Sequence, residues 1–542
     1  MSLFLISSYP EIEGFLLYDR IKAGEYGLLK EVCNNPTPPC TLSCKFIALK
    51  GVKTDYTLCP EIPEVLKAKY ELFADTSSLI KLAKLYPYYP FSLKAIPLLD
   101  NYNKLRVFLD HKLYDSVFKY ADTTKENEYS LYLVAKSKFT DLTLDEMLKL
   151  PKWYLRGYIV KPLIKALTDE IYDSIEVYLK VLADIGDEER AFRLMASEVA
   201  KPDMKHLGYR LFSLLKSYAD ENTESDGLVW LGISAYILGY IEDAYNYLYM
   251  AFRKGGYGDF NRIRAAFWLY KITRDTYYVR IIKSEDPLNY YSLKLGIKPK
   301  WSKGALWDTL GDTRFYEMGK IVEKIAGYQY ARDFYLKNIP SAYKHLKDLL
   351  KSGDFYRASL VLQYIYDISD KSEGIPLWWG KLAYPYNKKF FSHYIDSAST
   401  TFGIDPLLFV ALIREESRFM VRAQSPAGAL GLSQIMPDKV KKFSRKFKKG
   451  IKDPYDPKTN LLIGAWVFSE YLRVFPDYAL ALASYNAGMG ALNGWLCDYE
   501  YERLDYDLFI DIIPYNETRA YVRRVLKGYW IYKSLYSPGK FD

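Results

Sequence analysis

Apolar residues recur with the 3.6-residue period of a helix along nearly the whole stretch from residue 60 to residue 372, and alternating strand-like patterns are scarce. Glycine turns punctuate this stretch at Gly186, Gly239 and Gly353, and each is followed five residues later by an alanine that lets the next helix pack closely. The segment from Trp230 to Ala251 fits a degenerate helix–turn–helix repeat of the tetratricopeptide kind. Because stacked helix pairs form superhelices, we expect a mainly α fold that begins with a superhelix of helix pairs.

The chain has 542 residues, which is too long for a single hydrophobic core. Pro376 and Pro385 mark a boundary, after which glycines become dense and local motifs more specific. We therefore predict three segments. These are a helical superhelical domain over residues 1–300, a helical linker domain over residues 301–382, starting with Trp301 to Gly304, and a C-terminal helical domain over residues 383–542.

Hydrophobic residues make up 49% of the chain and charged residues 26%, which is typical of a globular protein in water and excludes a disordered one. No apolar run approaches the length of a membrane span, so no integral membrane segment is expected. The apolar residues 3–6 lack a basic flank, and we expect a signal peptide to be absent from this sequence.

Positive charge is concentrated between Lys439 and Lys452, in a chain whose net charge is +9. The run can be a solvated surface loop, or it can attract a polyanion such as a cell-wall polymer or nucleic acid. Because no aromatic stacking pattern interleaves this run, we expect no nucleic-acid partner.

Four of the five cysteines lie in the first sixty residues, at spacings unlike those of a zinc ribbon and without histidine companions: Cys33, Cys40, Cys44 and Cys59. This clustering favours one or two disulfides formed in an oxidising compartment, with free thiols as the alternative. The sequence leaves the pairing open.

A glutamate pair ends an unusually apolar helix predicted from Leu407 to Phe419. Asp405 and the following proline are typical of a helix start. Glu416 falls inside the apolar stripe and Glu415 on its other flank, so the pattern alone does not choose between them. A carboxyl group in such a stripe is either neutral, and then suited to donate a proton, or paired with a base such as Arg414.

Three further blocks follow this helix. Gly428 and Gly431 permit tight backbone geometry before Gln434 and Met436, and Tyr485 begins a Tyr-Asn-Ala-Gly stop at the end of a small-residue helix. The last block places a carboxylate near the start of the final helix, in Glu517-Thr-Arg-Ala-Tyr521. Each block alone is explained by packing, but their joint occurrence in this order is not.

These four blocks together resemble the catalytic domain of the soluble lytic transglycosylases of bacterial cell-wall metabolism, over about residues 383 to 536. The resemblance implies a lysozyme-like α domain at the C-terminus, and the N-terminal helices are similar, less specifically, to the family's superhelical ring and linker. It also implies that the acid is Glu416, because the family's catalytic glutamate directly precedes the serine. Two positions depart from the family pattern: Ser433 stands where methionine is common, and Asp511 where a glutamate often precedes Ile-Pro.

The resemblance further implies a set of residues around the sugar subsites: Ser417, Ser425, Gln434, Met436, Tyr485, Asn486, Glu517 and Tyr521. It implies cleavage of peptidoglycan between N-acetylmuramic acid and N-acetylglucosamine with formation of 1,6-anhydro ends, in the periplasm. We expect no metal and no cofactor, glycan strands as the partner, and cell-wall enzymes as possible partners of the superhelix. The alternatives are a catalytically idle scaffold that binds peptidoglycan, and a lysozyme-type hydrolase.

Overall fold

The computed structural model describes residues 10–34, 37–159, 162–163, 166, 171–303, 311–371, 374–501 and 504–537. The apolar residues 3–6 and Gly304, both used in the sequence predictions, lie outside these ranges. Within them, helices account for nearly all regular structure, and this confirms the mainly α fold. No helix in these ranges is both long enough and apolar enough to cross a membrane.

The chain divides into two compact units, the first formed by Met1–Pro162 and Leu310–Lys344. Its helices are Pro10–Lys22, Leu29–Val32, Pro38–Leu49, Pro63–Phe73, Thr76–Leu85, Asn101–Asp110, Tyr114–Tyr120, Glu126–Lys136, Leu144–Leu148, Lys152–Tyr158, Arg314–Ala326 and Tyr328–Tyr335, with 3-10 turns at Tyr26–Leu28 and Pro90–Leu98. Two disulfides, Cys33–Cys40 and Cys44–Cys59, lie in a buried cluster of this unit, in keeping with the prediction of one or two disulfides. Helix Ile339–Ser352 continues from this unit into the second.

The second unit consists of Leu163–Thr309 and His345–Asp542. Its first part contains the helices Tyr172–Asp184, Glu188–Val199, Lys205–Leu215, Ser225–Leu238, Ile241–Lys254, Phe260–Thr273, Thr276–Glu285 and Tyr290–Lys294, with 3-10 turns at Pro202–Met204 and Lys216–Tyr218. Successive helices pack against each other as antiparallel pairs do. A side chain at Gly232 would collide with Leu248, so this glycine sets the close approach of the pair Ser225–Leu238 and Ile241–Lys254.

A short parallel β pair, Trp301–Ser302 with Ile375–Pro376, joins Trp301 to Ile375 in register. Helices Phe355–Ile368 and Leu377–Ala383 flank the second strand, and a 3-10 turn follows at Lys388–Phe390. The division into segments 1–300, 301–382 and 383–542 stays a prediction.

The C-terminal helices, numbered α1 to α8, are Ser392–Phe402 (α1), Pro406–Ser417 (α2), Pro437–Lys446 (α3), Pro457–Val474 (α4), Tyr478–Ala487 (α5), Met489–Asp498 (α6), Tyr506–Ile512 (α7) and Asn516–Tyr536 (α8). Asp405 caps α2 by accepting a hydrogen bond from the Leu407 N–H, and every residue from Leu407 to Ile413 is buried. Because α8 packs against both α2 and α5, three distant parts of the sequence meet around the end of α2.

The end of α2 differs from the prediction. The helix stops at Ser417, and the next two residues, Arg418 and Phe419, both adopt positive φ angles, 46° and 64°. The Phe419 ring packs edge-on against Phe390, with the ring centroids 5.1 Å apart. The chain therefore turns away directly after the two glutamates, which leaves Glu415 and Glu416 in the last turn of the helix.

The lysine run also differs from the predicted loop. Most of it forms helix α3, because Pro437 occupies the first helical turn and Phe443 gives the helix a buried anchor. Lys439, Lys442 and Lys446 are spaced by three and four positions and so share one face of α3.

A buried ionic cluster attaches α7 and α8 to helix Phe260–Thr273. Asp511 accepts hydrogen bonds from Arg264 at 3.0 Å, from the Trp268 indole at 2.6 Å and from the Tyr291 hydroxyl at 2.8 Å, and it pairs with Arg523. Burial would raise the pKa of Asp511, but the two arginines outweigh it and hold this pKa well below its ordinary value. Asp511 is thus ionised, and its shorter side chain matches partners that the sequence does not reveal.

Candidate active site

Glu415 and Glu416 are neighbours in sequence with opposite surroundings. Glu415 accepts a hydrogen bond from Arg414 at 2.7 Å and one from Arg524 of α8 at 2.9 Å. Burial would raise the pKa of Glu415, but Arg414, Arg418 and Arg524 outweigh it and lower this pKa. Glu415 is therefore an ionised member of an ion-pair network.

Among the described residues, Glu416 has no ion pair of this kind, and its side chain is only partly exposed. Burial raises the pKa of Glu416 to about 7, with smaller raising contributions from Glu415 and Glu517. The Tyr521 hydroxyl donates a hydrogen bond to Glu416 Oε1 at 2.7 Å, which acts in the opposite direction because it favours the carboxylate. A carboxyl group that titrates near neutral pH can both donate and accept a proton there.

The loop between α2 and α3 is held in shape by its own polar groups. The Gln434 side chain donates to the carbonyls of Ala423 (3.2 Å) and Gly431 (2.9 Å), and Gln434 itself has a φ of 45°. Ser425 closes a tight turn by accepting a hydrogen bond from the Ala429 N–H at 3.0 Å. The loop is thus a rigid wall that leaves Met436, 40% exposed, at the start of α3.

Helices α4 and α5 fix this loop from behind. Asn460 of α4 accepts a hydrogen bond from the Ser433 N–H at 2.8 Å and donates to the Leu430 carbonyl at 3.0 Å. The Tyr485 hydroxyl of α5 donates to the Ser433 carbonyl at 2.7 Å. Burial, and after it the charge of Glu416, raises the pKa of Tyr485 well above its ordinary value, so Glu416 lies near the phenol that holds this loop.

Helix α8 contributes from the other side. Tyr521, already described at Glu416, is buried, and Glu517 is exposed one helical turn earlier. Thr518 donates a hydrogen bond to the Asn486 side chain at 2.6 Å, which ties the start of α8 to the end of α5. A protonatable acid, a phenol on it and an exposed carboxylate near it are together suited to acid–base chemistry on a glycosidic bond.

Residues 393–507 match the family described as "Transglycosylase SLT domain". Residues 393–507 are called the SLT domain after this match. This confirms the resemblance found in the sequence, and the matched residues include the glutamate pair, the α2–α3 loop and the Tyr485 motif.

Named relatives are similar to part of the chain. A soluble lytic murein transglycosylase of Salmonella typhimurium is 38% identical over 122 residues, 22% of this chain and 19% of that protein. The soluble lytic murein transglycosylase of Escherichia coli K12 is 36% identical over 122 residues, again 19% of its length. The transglycosylase of phage PRD1 is 33% identical over 99 residues, 35% of that protein. The matches thus span about a fifth of the length of the two bacterial relatives.

Solved structures extend the likeness of fold to the rest of the chain. The 70-kDa soluble lytic transglycosylase in complex with bulgecin A aligns with 98% of this chain and 92% of its own, at 15% identity and a TM-score of 0.56. An inactive mutant of the lytic transglycosylase Slt from Pseudomonas aeruginosa aligns over 96% of both chains, at 16% identity and a TM-score of 0.50. The helical segments before the SLT domain therefore share the fold of these proteins.

Two of the predicted site residues, Ser417 and Tyr521, are nearly fully buried. Ser417 is 3% exposed and donates to the Ile413 carbonyl at 3.3 Å, at the end of α2. Tyr521 is 4% exposed, and its hydroxyl donates to Glu416. Ser433, one of the two departures from the family pattern, is fully buried against Gly464, which has no room for a side chain.

Sequence reasoning missed Asn460 and Arg524, which brace the loop and neutralise Glu415. The helix start Asp456-Pro-Lys-Thr-Asn460 is the sequence signal that could have indicated Asn460. Nothing in the sequence indicated that Arg524 reaches a residue 109 positions earlier.

Proposed function

We propose that this protein is a peptidoglycan lytic transglycosylase that cleaves the bond between N-acetylmuramic acid and N-acetylglucosamine and leaves 1,6-anhydro ends. The observation that carries the proposal is the contrast at the end of α2. Arginines hold Glu415 in its ionised form. Glu416 is instead desolvated, has a pKa of about 7 and accepts a hydrogen bond from the Tyr521 phenol. The names of the bacterial relatives support the same activity.

In the proposed reaction, protonated Glu416 donates its proton to the oxygen that links the two sugars, and that bond breaks. The 2-acetamido group of the substrate stabilises the cationic carbon that remains. Glu416, now a carboxylate, takes the proton of the muramyl 6-hydroxyl as its oxygen closes on that carbon. The acid is thus regenerated, and no water is added.

The pKa of Glu416 suits both halves of this cycle. At a pH near 7 about half of the enzyme carries the proton needed for the first step, and the carboxylate formed is basic enough to accept one in the second. Hydrogen bonds within the protein hold the loop from Ser425 to Gln434 rigid. This rigid loop would keep the sugars in a fixed position against the acid. Met436 and Glu517, both exposed, would line the ends of the site.

The mass of the products tests the proposal directly. Purified peptidoglycan digested by the wild type should yield muropeptides lighter by one water than hydrolysis products, and Glu416→Gln should yield none while keeping the melting temperature of a folded protein. Products with reducing-end muramic acid would instead identify a lysozyme-type hydrolase, with Glu517 or another carboxylate activating water. No release by the wild type across the pH range would identify an idle binding scaffold.

We propose a periplasmic location, which the two disulfides of the first unit support because disulfides persist in oxidising compartments. We also propose that the helical segments before the SLT domain bind other cell-wall enzymes.

A further inference from the structure

A pocket on the first unit, called the Trp153 pocket below, encloses a cavity of about 410 Å³. Helices Asn101–Asp110, Glu126–Lys136 and Lys152–Tyr158 supply its walls. The described residues that line it are Tyr102, Arg106, Leu109, Asp110, Leu131 and Trp153. A volume between about 300 and 1,000 Å³ and a mostly apolar and aromatic lining with few polar groups are typical of small-molecule sites. The pocket therefore has the size and the composition of a ligand site, and none of these residues belongs to the SLT domain.

One face of helix Asn101–Asp110 supplies most of the polar groups of the pocket. Tyr102, Arg106 and Asp110 follow one another at intervals of four positions, so their side chains lie along the same face of the helix. Neither the Arg106 nor the Asp110 side chain forms a hydrogen bond or an ion pair within the described part of the chain. Because the two charges cancel, the described lining favours an uncharged ligand over an anion or a cation.

The floor of the pocket belongs to the hydrophobic core of the unit. Leu131 is buried in a cluster with Leu105 and Phe108, and Leu109 packs against this cluster from its edge. Because closely packed core side chains keep their positions, the floor has a fixed shape before a ligand arrives. A preformed floor also avoids the entropic cost of ordering these side chains on binding.

Trp153 supplies an exposed aromatic surface. Its side chain is 65% exposed, although tryptophan is highly buried on average. The Tyr154 ring packs edge-on against it, with the centroids 5.6 Å apart, and so restricts its movement. Tyr102 is also exposed, and neither its hydroxyl nor the Trp153 indole N–H has a hydrogen-bond partner among the residues that the structure describes. The pocket thus combines flat aromatic rings with hydrogen-bonding groups that the protein itself leaves unused.

We propose that the Trp153 pocket binds an uncharged sugar unit of a glycan strand, as a second glycan site outside the SLT domain. The choice of a glycan rests on the proposed function, because the bound polymer is the one that the enzyme would cleave. A pyranose ring has an apolar C–H face, which matches the aromatic surface, and a rim of hydroxyl groups, which match the guanidinium and the carboxylate. The methyl group of an N-acetyl sugar packs against the leucine floor. Since the cell wall offers many strands at once, this site raises the effective concentration of the enzyme on the polymer.

The first test measures binding at the pocket itself. The probe is the tetramer of N-acetylglucosamine, which carries no peptide, and it is titrated into the full-chain Glu416→Gln protein with isotope-labelled tryptophan. We expect the indole resonance of Trp153, identified by its absence in Trp153→Phe, to shift until the pocket is saturated. Arg106→Gln and Asp110→Asn, which remove the charges, should each weaken this binding about tenfold, as the loss of a hydrogen bond to a charged group implies.

The second test uses the active enzyme and compares Trp153→Ala with a matched control, Tyr88→Ala. Tyr88 is 62% exposed in the same unit and does not line the pocket, so each change removes an exposed aromatic ring without opening the core. The substrates are insoluble peptidoglycan and a short soluble glycan fragment. In Trp153→Ala, the ratio of kcat/KM on the insoluble polymer to kcat/KM on the fragment should fall about tenfold, through a higher KM on the polymer. In Tyr88→Ala this ratio should keep its wild-type value.

A Trp153 resonance that the sugar tetramer leaves in place would overturn the proposal. So would an equal fall of the kcat/KM ratio in Tyr88→Ala, because exposed aromatic rings in general would then hold the enzyme on the polymer. A shift caused by a peptide free of sugar, with none caused by the tetramer, would assign the pocket to a protein partner instead. If the wild type cleaves neither substrate, the proposed function fails, and the titration into Glu416→Gln still decides whether the pocket binds sugar.

Discussion

The hydrogen bond from Tyr521 to Glu416 should set the upper end of the enzyme's pH range. Tyr521→Phe removes only the hydroxyl that lies 2.7 Å from Glu416 Oε1 and keeps the ring buried between α2 and α8. Since the hydroxyl donates to the carboxylate, its loss disfavours the charged form and raises the pKa of Glu416.

The size of the effect follows from the strength of such bonds. A hydrogen bond to a charged group contributes about 1.5 to 3 kcal/mol, which corresponds to about 1 to 2 pH units at 1.36 kcal/mol per unit. From a wild-type pKa of about 7, the variant should therefore titrate between about 8 and 9. Glu416 would then be a better-populated acid at pH 7 but a misaligned one, so the rate should fall while the profile moves.

The assay is the pH dependence of kcat/KM for release of muropeptides between pH 5 and pH 10. The alkaline limb, which reports loss of the Glu416 proton, should move up by about 1 to 2 pH units in Tyr521→Phe. Tyr485→Phe is the matched control, because its hydroxyl donates to the Ser433 carbonyl, and its alkaline limb should stay in place. An alkaline limb that stays in place in Tyr521→Phe, or that moves down, would refute the assignment of this bond.

Three further predictions concern stability. The folded protein raises the pKa of Glu416 from 4.5 to about 7, so the stability of the wild type falls as the pH rises between these values. Because Glu416→Gln lacks this titration, its free energy of unfolding in urea should increase by about 3 kcal/mol relative to the wild type from pH 4.5 to pH 8, and a constant difference would contradict this. Asp511→Asn should cost about 3 kcal/mol, because it leaves Arg523 buried without its counter-charge and removes one of the carboxylates that pair with Arg264; an unchanged unfolding midpoint would contradict it. Replacing Cys44 and Cys59 by serine should lower the stability of the first unit by about 3 kcal/mol, checked by calorimetry against the second unit's transition, which should not move.

The helical nature of the chain could be predicted because it depends on local periodicity. The turn at Gly239 and the close packing at Gly232 both follow from where glycine replaces larger residues. The lysine run was predicted as a loop because charged residues dominate it. Its apolar residue Phe443 is buried, and this residue lets helix α3 pack. Local sequence patterns thus predicted the helical structure but not every helix boundary.

The choice between the two glutamates shows what the residues alone could not provide. Their difference comes from Arg524 and Tyr521 of α8, more than a hundred positions away, and no periodicity reports such contacts. The resemblance to a family chose Glu416, and the structure supplies the physical reason. Ser417, a residue of the motif, lies in the core and donates to the Ile413 carbonyl at the helix end, and its place at the sugar subsites stays a prediction.

The central claim, that Glu416 holds a proton near neutral pH beside an ionised Glu415, can be measured without substrate. The protonated carboxyl band in the infrared difference spectrum between wild type and Glu416→Gln should be present at pH 6 and disappear with a midpoint at about pH 7. A band that is already lost at pH 5, as for an ordinary glutamate, would contradict the account.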